Sequence, residues 1–167
     1  MWIGLVGSEM CIRDRTLEEK FIKQNKLPEH SKVFAVIWTT TPWTIPGNQA
    51  VCLNKDIEYS LVEVAKNEIY IIASELVKTC FDRWSSEDFK IIKKMKGNDL
   101  DGLHFIHPLY NRTSPLLFSE HVTTDTGTGC VHSAPAHGPE DFETCSENGI
   151  ELKNPISSNG CFKDDVK

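Results

Sequence analysis

Apolar residues in this chain come in short runs, and each run is closed by residues that turn a backbone. Residues 32–38 (KVFAVIW) are continuously apolar after the first position and predict a central buried strand. Strand resumes over 49–53. Residues 57–64 (IEYSLVEV) mostly alternate and lead through a Lys66-Asn67 turn into a further strand over 68–73. Residues 89–95, 102–108, 115–118 and 121–124 add more short extended stretches. Helical patterns are few. Thr16 and Glu19 stand at capping-box spacing ahead of Pro28, which predicts a short helix or linker over 16–27. Ser74 is placed to cap a helix running through Trp84, with Leu76, Val77, Cys80, Phe81 and Trp84 as one apolar stripe. A last helix starts at Pro139 and stops at Asn148-Gly149. Short strands at regular spacing with two or three short helices predict an α+β domain, mostly β, compact and β-barrel-like.

A chain of 167 residues is one domain's worth and long enough to bury a core. The cysteines at 11, 52, 80, 130, 145 and 161 include no C-x-x-C pair, which argues against a disulfide framework and a zinc knuckle. Reduced thiols place the chain in the cytoplasm or an organelle matrix. A net charge of −6 excludes a protein that holds nucleic acid by bulk electrostatics, and residues 90–96 (KIIKKMK) read as a solvated strand face. Residues 1–15 (MWIGLVGSEMCIRDR) are too short in their apolar run to span a membrane and lack the basic start of a signal peptide. They resemble translated adaptor sequence and are expected to be a non-native leader, followed by a linker or short helix over 16–31 and one domain over 32–165. The chain is expected to be a fragment, cut at both ends.

Chemistry concentrates in residues 125–142 (DTGTGCVHSAPAHGPEDF). Gly127 and Gly129 flank Thr128, so the backbone there can adopt positive φ or admit another chain closely. Residues 130–134 read as a half-buried strand that Pro135 must end. Gly138-Pro139-Glu140-Asp141 then reads as a helix start, with two acids at the positive end of the helix dipole. Strand, tight loop and helix N-terminus in succession aim polar groups at one small volume. Turn-making glycines and dipole-matched acids serve structure equally well, so composition alone leaves Asp141 open. Cys130 and His132 share a strand face and could act as nucleophile and base. His132 and His137 could bind a metal, although no third ligand stands at sensible spacing.

Together with residues 38–48 (WTTTPWTIPGN), this stretch resembles the editing domain of class I isoleucyl-tRNA synthetase, and the resemblance runs on to about Phe162. It implies a domain inserted into the nucleotide-binding core that hydrolyses wrongly charged tRNA. Asp141 matches the aspartate that binds the substrate's α-ammonium. Thr39, Thr40 and Thr41 match the peptide that binds the adenosine end and helps to orient the water. Asn48 closes that peptide. His132 matches the histidine that walls the amino-acid pocket, and Trp38, Gly127, Thr128 and His137 complete the expected substrate-binding set. Departures are small: Gly47 stands where relatives often carry alanine, and Ala136 where many carry glycine. Relatives specific for valine and leucine place arginine after two threonines; here Thr41 holds that place and Trp43 follows Pro42, which favours the isoleucine type. In that type, one methylene separates valine from isoleucine by only about 150-fold, an established value for these enzymes rather than one derived from this chain. Valyl-tRNA(Ile) is therefore the implied substrate. The resemblance also implies no metal or cofactor in this domain and no membrane. Partners would be the 3′ end of mischarged tRNA(Ile) and the rest of the synthetase chain, where ATP and isoleucine bind. A monomer is expected. No H-I-G-H-type or K-M-S-K-S-type adenylate signature is present. The alternative is a non-catalytic module that docks the acceptor end of tRNA.

Overall fold

A computed structural model describes residues 4–6, 9–16 and 19–163 of the chain, with side chains from residue 19 onward. Among the described residues, ten strands and three α-helices alternate with short 3-10 turns. They are β1 (Gly4–Val6), β2 (Glu9–Thr16), α1 (Glu19–Gln24), β3 (Lys32–Thr39), β4 (Ala50–Leu53), β5 (Glu58–Ala65), β6 (Glu68–Ala73), α2 (Val77–Arg83), β7 (Lys90–Lys96), β8 (His104–Ile106), β9 (Thr113–Phe118), β10 (Val131–Ser133) and α3 (Pro139–Glu147). The α+β, mostly β character read from the sequence is what forms. The strands pair in the order β10-β4-β9-β8-β2-β3-β6-β5-β7, with β1 on β2. This ladder does not close, so the barrel-like expectation is corrected to an open sheet among the described residues. Its far edge explains why. β7 carries four exposed lysines among its seven residues, and a lysine-lined edge resists further strand pairing. At the opposite end β10 folds over to pack against β3.

β3 is buried on both faces, with Val33, Ala35, Val36 and Ile37 at or below 1% exposure, as a continuous apolar run requires. It pairs in parallel with β6 from Lys32↔Glu68 to Ala35↔Ile71. The Lys66-Asn67 turn forms as read, with Asn67 at φ 63°. Residues 9–16, set apart from the fold by the sequence reading, run antiparallel to β3 from Met10↔Thr39 to Arg15↔Phe34 and pass on to β8 at Arg15 and Thr16. Strand pairing uses main-chain groups, so this slot asks only for extended backbone.

Some boundaries move. The segment from Ser74 opens as a 3-10 turn over Ser74–Leu76 and becomes α-helical only at Val77. Ser74 is thus not the cap; its hydroxyl pairs with that of Ser60 at 2.8 Å. The stripe is core as expected: Leu76, Val77, Cys80 and Phe81 are buried, and Trp84 lies edge-on to Phe81. Thr16 ends β2 and α1 begins at Glu19, so the helix is shorter than 16–27. Residues 121–124 form no strand, and strand over 102–108 contracts to His104–Ile106 because the chain bends from Pro108 onward. Beneath α3 lies a second, smaller core of Ala50, Cys52, Leu117, Val122 and Cys145. That core sets the height of the helix against β4 and β10.

Candidate functional site

The Thr-rich peptide turns because its local hydrogen bonds and its prolines give it no other course. β3 ends at Thr39, and Pro42 and Pro46 offer no N–H to a ladder. Thr39 is buried, and its Oγ1 accepts the Thr41 N–H at 3.0 Å and lies 3.3 Å from the Thr41 hydroxyl. Residues Pro42–Gly47 then form a 3-10 turn. Thr44 donates both its N–H (3.0 Å) and its hydroxyl (2.8 Å) to the Thr41 carbonyl. Thr40 is exposed and Thr41 half-buried, so these two present groups outward.

The second signature arrives from the far end of the chain. Gly127 and Gly129 both have positive φ, 81° and 76°. A β-carbon at 129 would overlap that of Ala73, so glycine is required there twice over. β10 pairs antiparallel with β4, which follows directly on the Thr-rich peptide, and the register sets His132 opposite Val51. His132 Nε2 thereby lies 3.0 Å from Thr44 Oγ1. The Thr44 hydroxyl proton is already committed to the Thr41 carbonyl, so Nε2 is the protonated donor and Nδ1 the bare acceptor. Nδ1 is buried and has no partner. Burial pushes the His132 pKa down to about 4, with nearby Asp141 pulling upward and His137 adding to the depression. The imidazole is neutral at physiological pH.

α3 begins one residue beyond Gly138, with Pro139 in its first turn. Half-buried Asp141 reaches back from that turn, and its Oδ2 accepts the Ala134 N–H at 2.9 Å. The carboxylate is thus locked to the strand end just past His132, which leaves Oδ1 for another donor.

The structure therefore brings Thr41, Thr44, His132 and Asp141 together through β4, β10 and α3. Other expected site residues take different places. Asn48 is 1% exposed, and its amide donates to the Ala50 carbonyl (2.9 Å) and accepts from Ser114 Oγ (2.6 Å). Thr128 is 2% exposed and bonds both the N–H and carbonyl of Cys130. Both side chains are spent on holding loops. Trp38 lies against Gly127, where a β-carbon would meet its ring at 3.2 Å. His137 packs on Gly47, with Nε2 buried and unpartnered. An alanine at 47 would meet that ring at 3.2 Å, which gives the departure at this position a physical meaning.

Two residues that the sequence reading passed over hold the Thr-rich peptide from behind. His107 is 3% exposed; its Nε2–H donates to the Ile45 carbonyl at 2.9 Å, while Nδ1 accepts the N–H groups of Leu109 and Tyr110. Arg112 donates to the carbonyls of Pro46 (2.6 Å) and Asn48 (2.9 Å). Their partners within that peptide lie 62 to 66 residues away in sequence, so no local pattern marks the link.

The rival chemistries fare differently. Cys130 is buried, and its thiol donates to the Ile71 carbonyl at 3.6 Å. Among the described residues, no three His, Cys, Asp or Glu side chains converge as metal ligands. Two clefts open away from His132 and Asp141, one of about 440 Å³ on the outer side of α3 and one of about 560 Å³ beside Pro46 and Gly47.

The family described as leucyl-tRNA synthetase, editing domain, matches residues 21–166. The chain is 48% identical over 132 residues to an isoleucine–tRNA ligase of Lawsonia intracellularis, covering 79% of this chain and 14% of that protein. It is 41% identical over 164 residues to the ligase of Colwellia psychrerythraea, covering 96% and 17%. This chain thus spans about a sixth of the length of these relatives. Among solved structures, the CP1 domain titled GlLeuRS-CP1 superposes with TM-score 0.72 at 19% identity, over 89% of this chain and 70% of that one. The Plasmodium knowlesi cytosolic leucyl-tRNA synthetase editing domain superposes at 0.70 with 15% identity, over 87% and 66%. These two likenesses concern the fold. With the two signatures joined at Thr44 and His132 and the match running through nearly the whole described chain, the protein belongs to the editing-domain family of class I aminoacyl-tRNA synthetases, and its sequence relatives are the isoleucyl enzymes.

Proposed function

We propose that this domain is a post-transfer editing hydrolase that removes valine from mischarged tRNA(Ile). The observation that carries the reading is the contact between His132 and Thr44, which ties the pocket histidine to the Thr-rich peptide one strand away from the Asp141 carboxylate. The substrate is an ester already activated toward water, so the site has to position groups rather than form a covalent intermediate. Asp141 holds the α-ammonium through its uncommitted oxygen. Thr40 and Thr41 bind the terminal adenosine and orient the water, and buried Thr39 holds Thr41 in place for that task. His132, neutral and closely packed, limits the depth available to the amino-acid side chain. Trp38, Gly127, Thr128, Asn48 and His137 support the walls of that pocket. No cofactor enters this mechanism. Among the described residues, no helix is long and apolar enough to cross a membrane, and the working place proposed is the cytoplasm or an organelle matrix. The partners proposed are the 3′ end of tRNA(Ile) and the remainder of a synthetase, with the domain itself monomeric.

The test is turnover. Valyl-tRNA(Ile) is incubated with catalytic amounts of the chain, and release of valine is followed with and without chelator and thiol blocker. Multiple turnovers insensitive to both reagents support the reading. Stoichiometric binding without release would assign the domain to docking alone.

A further inference from the structure

The Thr-rich peptide has a second face. Behind Pro46 and Gly47 lies the cleft of about 560 Å³, walled on one side by Arg112 and on the other by the C-terminal segment. That segment is built into place. The Gln49 amide, oriented to satisfy both neighbours, donates to the Glu151 carbonyl and accepts the Lys153 N–H at 3.0 Å. Pro155 is buried against Gly47. An isolated bridge between Ile156 and Phe162, with the Lys163 N–H donated to the Pro155 carbonyl at 2.9 Å, turns the chain back on itself. Lys153 and Lys163, ten positions apart, consequently line the same cleft.

Charge decides what could enter. Among the described residues, the charged side chains on this wall are Arg112, Lys153 and Lys163, with no carboxylate beside them. The cleft beyond α3 is the reverse, with Glu120, Glu140, Glu143 and Glu147 facing Lys55. A chain of net charge −6 has thus gathered cations at one depression, next to the peptide assigned to the terminal adenosine. Arg112 hydrogen-bonds only neutral carbonyls, so its charge is not cancelled, and its Nε is buried without a partner. The volume suits one or two nucleotides of single strand and is too small for a duplex.

We infer that this cleft grips backbone phosphates of the single-stranded 3′ end of tRNA, immediately upstream of the terminal adenosine, with Lys153 and Lys163 as the contacts and Arg112 as a fixed charge beneath them. The inference deepens the editing reading and rests on it for the direction of the strand. A positively charged groove that tracks a single strand is the general solution for such a ligand.

The experiment compares the 167-residue chain with its Lys153→Ala/Lys163→Ala variant. Both lysines are exposed, and circular dichroism verifies the fold. The probes are a labelled single-stranded RNA ending in CCA and an acidic peptide of equal charge. Loss of two phosphate contacts should weaken RNA binding about tenfold at 0.15 M salt and reduce the log–log salt slope by about 1.4. In deacylation, KM for valyl-tRNA(Ile) should rise while kcat holds, and hydrolysis of 3′-O-valyladenosine, which carries no phosphate, should be unchanged. An unchanged affinity and salt slope for RNA would overturn the inference, as would lysine-dependent binding of the peptide but not the RNA. A chain that binds RNA through these lysines yet hydrolyses neither ester would refute the editing reading and leave the cleft assignment standing.

Discussion

Replacing His107 by alanine should loosen the Thr-rich peptide without touching any group assigned to substrate. The ring makes three hydrogen bonds, one to the Ile45 carbonyl and two from the N–H groups of Leu109 and Tyr110. Their costs differ. The Ile45 carbonyl keeps the Asn48 N–H at 2.9 Å, so it loses one of two donors, about 1 kcal/mol. Leu109 is 47% exposed, so water can reach that loop, and its two amides together cost about another 1 kcal/mol. The cavity and the lost stacking on Tyr110, whose centroid is 5.0 Å away, add about 1 kcal/mol more. A total of about 3 kcal/mol corresponds to a fall in Tm of roughly 6–12 °C for a domain of this size. Amide exchange at Thr44 and Asn48, whose N–H groups bond within the peptide, should accelerate more than exchange in β3.

The same variant reads out pH dependence. Burial holds the His107 and His132 pKa values down at about 4, against 6.5 for the free side chain. For His107 the geometry gives a further reason: protonating Nδ1 would set a donor against the Leu109 and Tyr110 N–H groups. Between pH 6.5 and 4 the unfolded chain therefore binds more protons than the folded one, so stability falls as pH drops through this window. Each group contributes up to about 3 kcal/mol of that loss. Near pH 5 the two histidines give a slope of about 2.4 kcal/mol per pH unit, and His107→Ala should lower their share to about 1.2. Urea unfolding at pH 7, 6 and 5 measures both quantities. A destabilisation below about 1 kcal/mol with an unaltered slope would refute the clamp.

Asp141→Ala should lower kcat/KM for valyl-tRNA(Ile) roughly 30- to 4,000-fold, the kinetic equivalent of about 2–5 kcal/mol for a buried charge pair, with the fold retained by circular dichroism. His132→Ala should admit isoleucine by relieving about 1–3 kcal/mol of overpacking, so paired deacylation rates should converge; loss of both rates would assign His132 to water instead. Thr41→Arg should block hydrolysis by bulk and charge, and normal turnover in that variant would place the peptide outside the site. Gly129→Ala should destabilise by about 2–3 kcal/mol, from positive φ and from overlap with Ala73, as read from thermal melts.

Sequence alone determined whatever depends on neighbours in the chain. The apolar run of β3, the hairpin at Asn67, the stop at Pro135 and the helix start at Pro139 follow from local sterics and hydrogen bonding, and they formed close to where the residues put them. Asp141 in a first helical turn was equally legible, since a proline and two acids after a glycine leave little choice. What the sequence could not carry was pairing between distant segments. Only the antiparallel register of β4 with β10 sets His132 on Thr44, 88 residues away, and only the bend after β8 brings His107 and Arg112 under the same peptide. Asn48 and Thr128 look identical in sequence to ligand-binding groups, yet burial turned their polar atoms inward, where an unpaired amide or hydroxyl would cost more than any ligand contact returns. The open edge at β7 was likewise a tertiary outcome, because seven residues with four lysines specify a strand but not whether another will pair with it.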